Sequence, residues 1–132
     1  MGMTYLLDTH VFVWLLTEPA RLPDTAVTVL GEPTTGLMVS AASAMEVATK
    51  VRLGRFPAAV TLVDTWATQV ASIGAGELPI TPRHALLAGQ LQWDHRDPFD
   101  RLLAAQALLD NLTLVTGDAR LLGLAGLRVM QV

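Results

Sequence analysis

Short apolar runs alternate along the chain with stretches in which apolar residues recur every three or four positions. MTYLL (3–7), GLMVS (36–40), LTLVT (112–116) and LRVMQV (127–132) are of strand length and rich in branched residues. ELPI (77–80) holds a short third strand between Gly76 and Thr81. Helical spacing follows most of these runs. HVFVWLL comes directly after Asp8-Thr9 and is broken by Glu18-Pro19, and a second helix runs from Pro23-Asp24 to about Leu30. AASAMEVATKVRLGRF reads as a helix with a packing stripe of Ala44, Val47, Ala48 and Val51 and Gly54 at its end. Pro57 opens a helix to about Ser72 whose apolar face is Leu62, Val63, Trp66 and Val70. Thr81-Pro82 caps the helix bearing His84, Leu87 and Leu91, and Asp97-Pro98 caps one that stops at Asn111. Alternating strands and helices predict an α/β fold, a parallel sheet with helices on both faces.

The polar residues that punctuate this pattern are where the chemistry lies. Asp8 and Asp118 each follow a strand end, where open α/β sheets place their ligands. Asp100 stands in the first turn of its helix, and the residues sharing its face are Leu103, Ala104 and Ala107, a surface for close packing. An ionised carboxylate leaning into such a surface is costly unless paired or metal-bound. Each acid also has an ordinary reading. Asp8 and Asp97 are good N-caps, and Asp100 suits a helix dipole. Glu46, four residues before Lys50 and in line with Ser43, forms a surface pair worth about 0.3–0.5 kcal/mol. If the first and fourth strands are neighbours at a reversal of winding, Asp8, Glu46, Asp100 and Asp118 meet in one crevice. Acids gathered in this way repel unless a cation compensates, and hard oxygen donors suit Mg²⁺ or Mn²⁺ and phosphoryl chemistry.

Composition narrows the choice. At 132 residues with 52% apolar and 16% charged residues, the chain is read as one domain, residues 1–132, with a substantial core. A net charge of −3 argues against indiscriminate nucleic-acid binding without excluding a nuclease. The absence of cysteine removes thiolate chemistry and disulfides, no apolar run is long enough to span a membrane, and a cytoplasmic location is the default expectation. No P-loop, dinucleotide fingerprint or nucleophile elbow is present, and His10, His84 and His95 lack a zinc-binding spacing. They are read as packing, capping or surface residues, with His95 the nearest to the acids.

LLDTHVFVWLL, SAASAMEVATKVRLGRF and HRDPFDRLLAAQALLDNLTLVTGDARL together resemble the PIN-domain family, in particular VapC-type ribonuclease toxins of bacterial type II toxin–antitoxin pairs. The resemblance spans nearly the whole chain. It implies a three-layer sandwich around a five-stranded parallel sheet and metal-dependent hydrolysis of RNA phosphodiesters. It places the acidic cluster on Asp8, Glu46, Asp100 and Asp118, with Asp8, Asp100 and Asp118 as metal ligands. Asp97, Ser43 and Thr116 are accessory positions, and Met45 stands where relatives often carry a larger aromatic residue. Arg96, Arg101 and Lys50 are candidate phosphate contacts. A homodimer and a VapB-like antitoxin, blocking the site with a C-terminal segment, are the partners implied. Two alternatives remain. One is a haloacid-dehalogenase-like phosphohydrolase, although position 10 is His where that family has a second Asp. The other is a non-catalytic PIN module that only binds its partner.

Overall fold

The computed structural model describes residues 3–132, with Met1 and Gly2 outside the described part. Five strands form one parallel sheet. They are β1 (Thr4–Leu7), β2 (Gly36–Ser40), β3 (Ala75–Leu78), β4 (Thr113–Thr116) and β5 (Val129–Gln131), in the order β3-β2-β1-β4-β5. The chain winds outward from β1 through β2 to β3, then returns to the other side of β1. The expected reversal therefore lies between β1 and β4, and a crevice opens at their carboxyl ends.

Among the described residues, seven α-helices flank the sheet: α1 (Thr9–Thr17), α2 (Asp24–Leu30), α3 (Ala41–Arg52), α4 (Val60–Asp64), α5 (Trp66–Ser72), α6 (Pro82–Gln90) and α7 (Pro98–Leu109). Alternate strand residues feed opposite layers, as a period of two dictates. Tyr5, Leu7, Leu37, Val39 and Val115 join Phe12, Leu22, Leu62 and Val70 in one core. Leu6 and Leu114 join Leu103, Ala107 and Leu121 in the other. Helix α3 belongs to both: Ala42 packs in the second core and Val47 in the first. It therefore crosses the end of the sheet, beside the crevice, rather than lying on one face.

That placement corrects the stripe expected on α3. Ala44 and Val51 are half-buried and Ala48 is exposed, while Ser43 and Glu46 are buried beside Val47. The neighbour across this face is a set of polar groups, so hydrophobic periodicity misses it. Three other expectations shift. The helix expected from Pro57 to Ser72 is a 3-10 turn at Pro57–Ala59 followed by α4 and α5. At the break, Thr65 donates its hydroxyl back to the Thr61 carbonyl (2.8 Å). Val63 is 40% exposed and does not join the apolar face. The third strand lies two residues earlier than expected, ending before Pro79, which has no N–H to donate.

Asp97, Asn111, Gly54 and Thr81 cap helices as the sequence indicates. Asp97 Oδ1 accepts from the amides of Phe99 (2.9 Å) and Asp100 (3.1 Å). Asn111 takes the left-handed conformation (φ 57°) after α7, and Gly54 (φ 72°) does so after α3. Thr81 accepts from the His84 amide while His84 Nδ1 accepts from the Thr81 amide, a capping box in which histidine takes the usual Glu or Gln place.

Candidate active site

Asp8 occupies the cap position of α1 but makes no capping hydrogen bond. Its amide continues the ladder to β4 through the Val115 carbonyl (2.9 Å), which fixes the carboxylate over the crevice. There Oδ2 accepts from the Thr116 hydroxyl at 2.6 Å. The same Thr116 oxygen accepts from the Asp118 amide at 3.0 Å. One hydroxyl, spending its proton on one side and a lone pair on the other, thus fixes two acids that lie far apart in sequence.

A second threonine does the same on the opposite wall. Thr9 Oγ1 donates to Glu46 Oε1 (2.6 Å) and lies 2.9 Å from Ser43 Oγ. A carboxylate only accepts, so the Thr9 proton serves Glu46 and Ser43 returns its own proton to Thr9. Lys50 Nζ donates to Glu46 Oε2 at 2.6 Å. The Glu46–Lys50 pair expected from spacing is present, but with Glu46 buried inside the crevice rather than on a solvated face.

Asp100, in the first turn of α7, is buried, and its Oδ2 lies 2.6 Å from His95 Nε2. Burial above all, then the nearby charges of Asp8 and Asp97, push its carboxyl up to about 6 against the opposing hydrogen bond from His95. Asp8 is also raised, chiefly by burial, with Glu46 adding to the effect and the Thr116 hydrogen bond opposing it. Asp118 is lowered, because Arg120 grips it through Nε and Nη2.

Asp8, Glu46, Asp97, Asp100 and Asp118 all line one cleft of about 390 Å³, together with His10, Trp14, Lys50 and Arg120. Five carboxylates face two fixed cations. Donor atoms of His95, Asp100 and Asp118 lie within 4.8 Å of one another. Uncompensated negative charge and converging oxygen and nitrogen donors fit a divalent cation.

The other expected residues sit elsewhere. Arg101 turns inward, its guanidinium donating to the carbonyls of Ala88, Leu91, Trp93 and His95 at 2.7–2.9 Å. Four of its five N–H donors go to carbonyls and the fork is turned into the loop, so Arg101 holds the loop instead of presenting a bidentate face to a phosphate. Arg96 is exposed and faces a separate hollow with Ala85 and Ala88. Met45 is 65% exposed, pointing away from the chemistry. Residues absent from the sequence reading are Thr9, Arg120 and the aromatic wall. His10 stacks on Phe56 (centroids 5.5 Å) and tilts on Trp14 (5.9 Å).

Replacing Thr116 with valine keeps the volume and removes the hydroxyl between Asp8 and Asp118. Divalent-ion affinity, measured by titration calorimetry, is expected to fall about tenfold with the fold intact.

The PIN-domain family pattern matches residues 5–127. The chain is 36% identical over 119 residues to ribonuclease VapC22 of Mycobacterium tuberculosis, with 89% of each chain covered. Solved structures share the fold at lower identity. VapBC2 of Rickettsia felis, crystallised with a promoter DNA fragment, superposes with a TM-score of 0.70 at 16% identity and 98% coverage of both chains. VapBC-1 of nontypeable Haemophilus influenzae gives 0.67 at 18% identity, again with 98% of both chains covered. VapBC-5 of M. tuberculosis gives 0.61 at 18%, covering 99% of this chain and 100% of the other. The sequence match, the sheet order and the cleft between β1 and β4 agree: the chain belongs to the PIN-domain family, in its VapC branch.

Proposed function

We propose that this protein is a metal-dependent endoribonuclease, the toxin of a bacterial type II toxin–antitoxin pair. The observation that carries the reading is the meeting of Asp8, Glu46, Asp100 and Asp118 around one cleft whose negative charge exceeds its fixed positive charge. Asp8, Asp100 and Asp118 are the residues that would hold Mg²⁺ or Mn²⁺. When bound, such an ion supplies Lewis acidity toward a phosphodiester and makes water more acidic.

The chain's own groups do the rest. Thr116 fixes the Asp8 carboxylate, and Thr9 and Lys50 hold both oxygens of Glu46, so that it faces the cleft in one orientation. Glu46 is the group proposed to orient the attacking water. Lys50 and Arg120 line the cleft beside the acids, where an anionic backbone would enter, and His10 and Trp14 add aromatic rings to the same lining for an unstacked base. Arg120 is paired with Asp118 at 2.7 Å within the chain. A VapB-like antitoxin and a homodimeric toxin are part of the proposal. Among the described residues, no helix is long and apolar enough to cross a membrane.

The test uses folded wild-type and Asp8→Asn protein on single-stranded RNA with Mg²⁺ or Mn²⁺. Cleavage is expected to fall at least about a hundredfold in the variant, and equally on chelation of the metal. Undiminished cleavage in either case rejects the assignment. Hydrolysis of small phosphomonoesters but not RNA points to a phosphatase. Failure to bind either ion by calorimetry points to a binding module without catalysis.

A further inference from the structure

The carboxylates alone do not account for His95. Its side chain is 8% exposed, yet it belongs to neither apolar core. Trp93 packs edge-on against the ring, with centroids 4.9 Å apart. Arg101 clamps the carbonyls of both Trp93 (2.8 Å) and His95 (2.9 Å). Ring and backbone are thus both held, and the position they hold directs Nε2 at the acids. If His95 served only to orient Asp100, its 2.6 Å contact would suffice. A third donor, from Asp118, nevertheless converges on the same volume.

We propose that His95 Nε2 is a ligand of the divalent ion beside Asp100 and Asp118, so that the site prefers a transition ion of the Mn²⁺ type to Mg²⁺. The proposal rests on the metal-dependent reading above and adds a donor to it. Imidazole nitrogen suits first-row transition ions, whereas Mg²⁺ selects oxygen donors and keeps its waters. The other histidines are differently placed. His84 lies away from the cleft, in a separate hollow with Asp110, and its ring nitrogens meet the Thr81 amide and Asp110 there. His10 lines the cleft, however, so it serves as the control.

The experiment is pulsed electron paramagnetic resonance on the full chain loaded with Mn²⁺. Wild-type protein is expected to show coupling to ¹⁴N. The coupling should persist in His10→Gln and vanish in His95→Gln. Labelling wild-type and His10→Gln proteins with ¹⁵N-histidine should convert it to ¹⁵N coupling, which keeps the test decisive if His95→Gln does not fold. By calorimetry, the ratio of Mn²⁺ to Mg²⁺ affinity should fall about tenfold in His95→Gln. Bound Mn²⁺ without nitrogen coupling, coupling that survives His95→Gln, or coupling lost in His10→Gln overturns the proposal while leaving the carboxylate site standing. Failure of wild-type protein to bind either ion overturns both.

Discussion

Replacing Asp100 with asparagine is expected to remove RNA cleavage while making the metal-free protein more stable. The two effects have one origin. The carboxyl is raised to about 6, above its ordinary value of 3.8, mainly by burial and then by Asp8 and Asp97. A group whose folded pKa exceeds its unfolded pKa holds its proton more tightly in the folded state. At neutral pH its charge therefore opposes folding. That cost shrinks as pH falls through about 6 and is gone below about 4. Asparagine keeps the shape and an acceptor for His95 but carries no charge. With allowance for solvent screening and coupling to its neighbours, the gain at pH 7 is about 1–2 kcal/mol, or about 3–8 °C in melting temperature. Activity should fall about a thousandfold, because a divalent ion loses one of its anionic ligands. Thermal melts from pH 7 to pH 5 in the presence of a chelator check the sign. The wild-type curve should approach that of the variant as pH falls. A variant that is inactive and also less stable would mean that Asp100 serves the fold instead.

The second large effect is expected at Arg101. Its guanidinium satisfies carbonyls at the end of α6 and along the loop that carries Trp93 and His95. Charged hydrogen bonds of this kind contribute about 1.5–3 kcal/mol each when partners cannot reach water, and less where the loop can rehydrate. Arg101→Ala should therefore cost about 3–5 kcal/mol by denaturant unfolding. Arg101→Lys should recover little, since a single ammonium cannot span four carbonyls. If Arg101 instead contacted phosphate, both variants would keep their stability and lose only RNA affinity. That result would return Arg101 to the substrate.

The two residues also show what can be read from a linear chain. Asp97-Pro98, Thr81-Pro82, Gly54 and Asn111 announce helix ends because capping is local: donor and acceptor are within a few positions of each other. The order of strands and helices follows from periodicity for the same reason. Arg101, in contrast, lies between Asp100 and Leu102 in a segment rich in charge, and only the folded loop shows that it points inward. Glu46 and Lys50 have the spacing of a surface pair, and what makes the pair internal is Thr9 on another helix. The third strand and the broken helix after Pro57 moved because Pro79 and Thr65 impose backbone constraints that hydrophobic spacing ignores.

Thr116 and Asp8 are 108 positions apart, yet their side chains meet at 2.6 Å beneath the cleft that Asp8 lines. A ribosome adds about 5–20 residues per second, so about 5–20 seconds separate the synthesis of the two. During that interval the nascent polypeptide acquires Glu46 and then Asp100 but has neither the hydroxyl that fixes Asp8 nor Asp118. The Thr116 hydroxyl and Asp118 are thus among the last parts of the cleft that translation delivers.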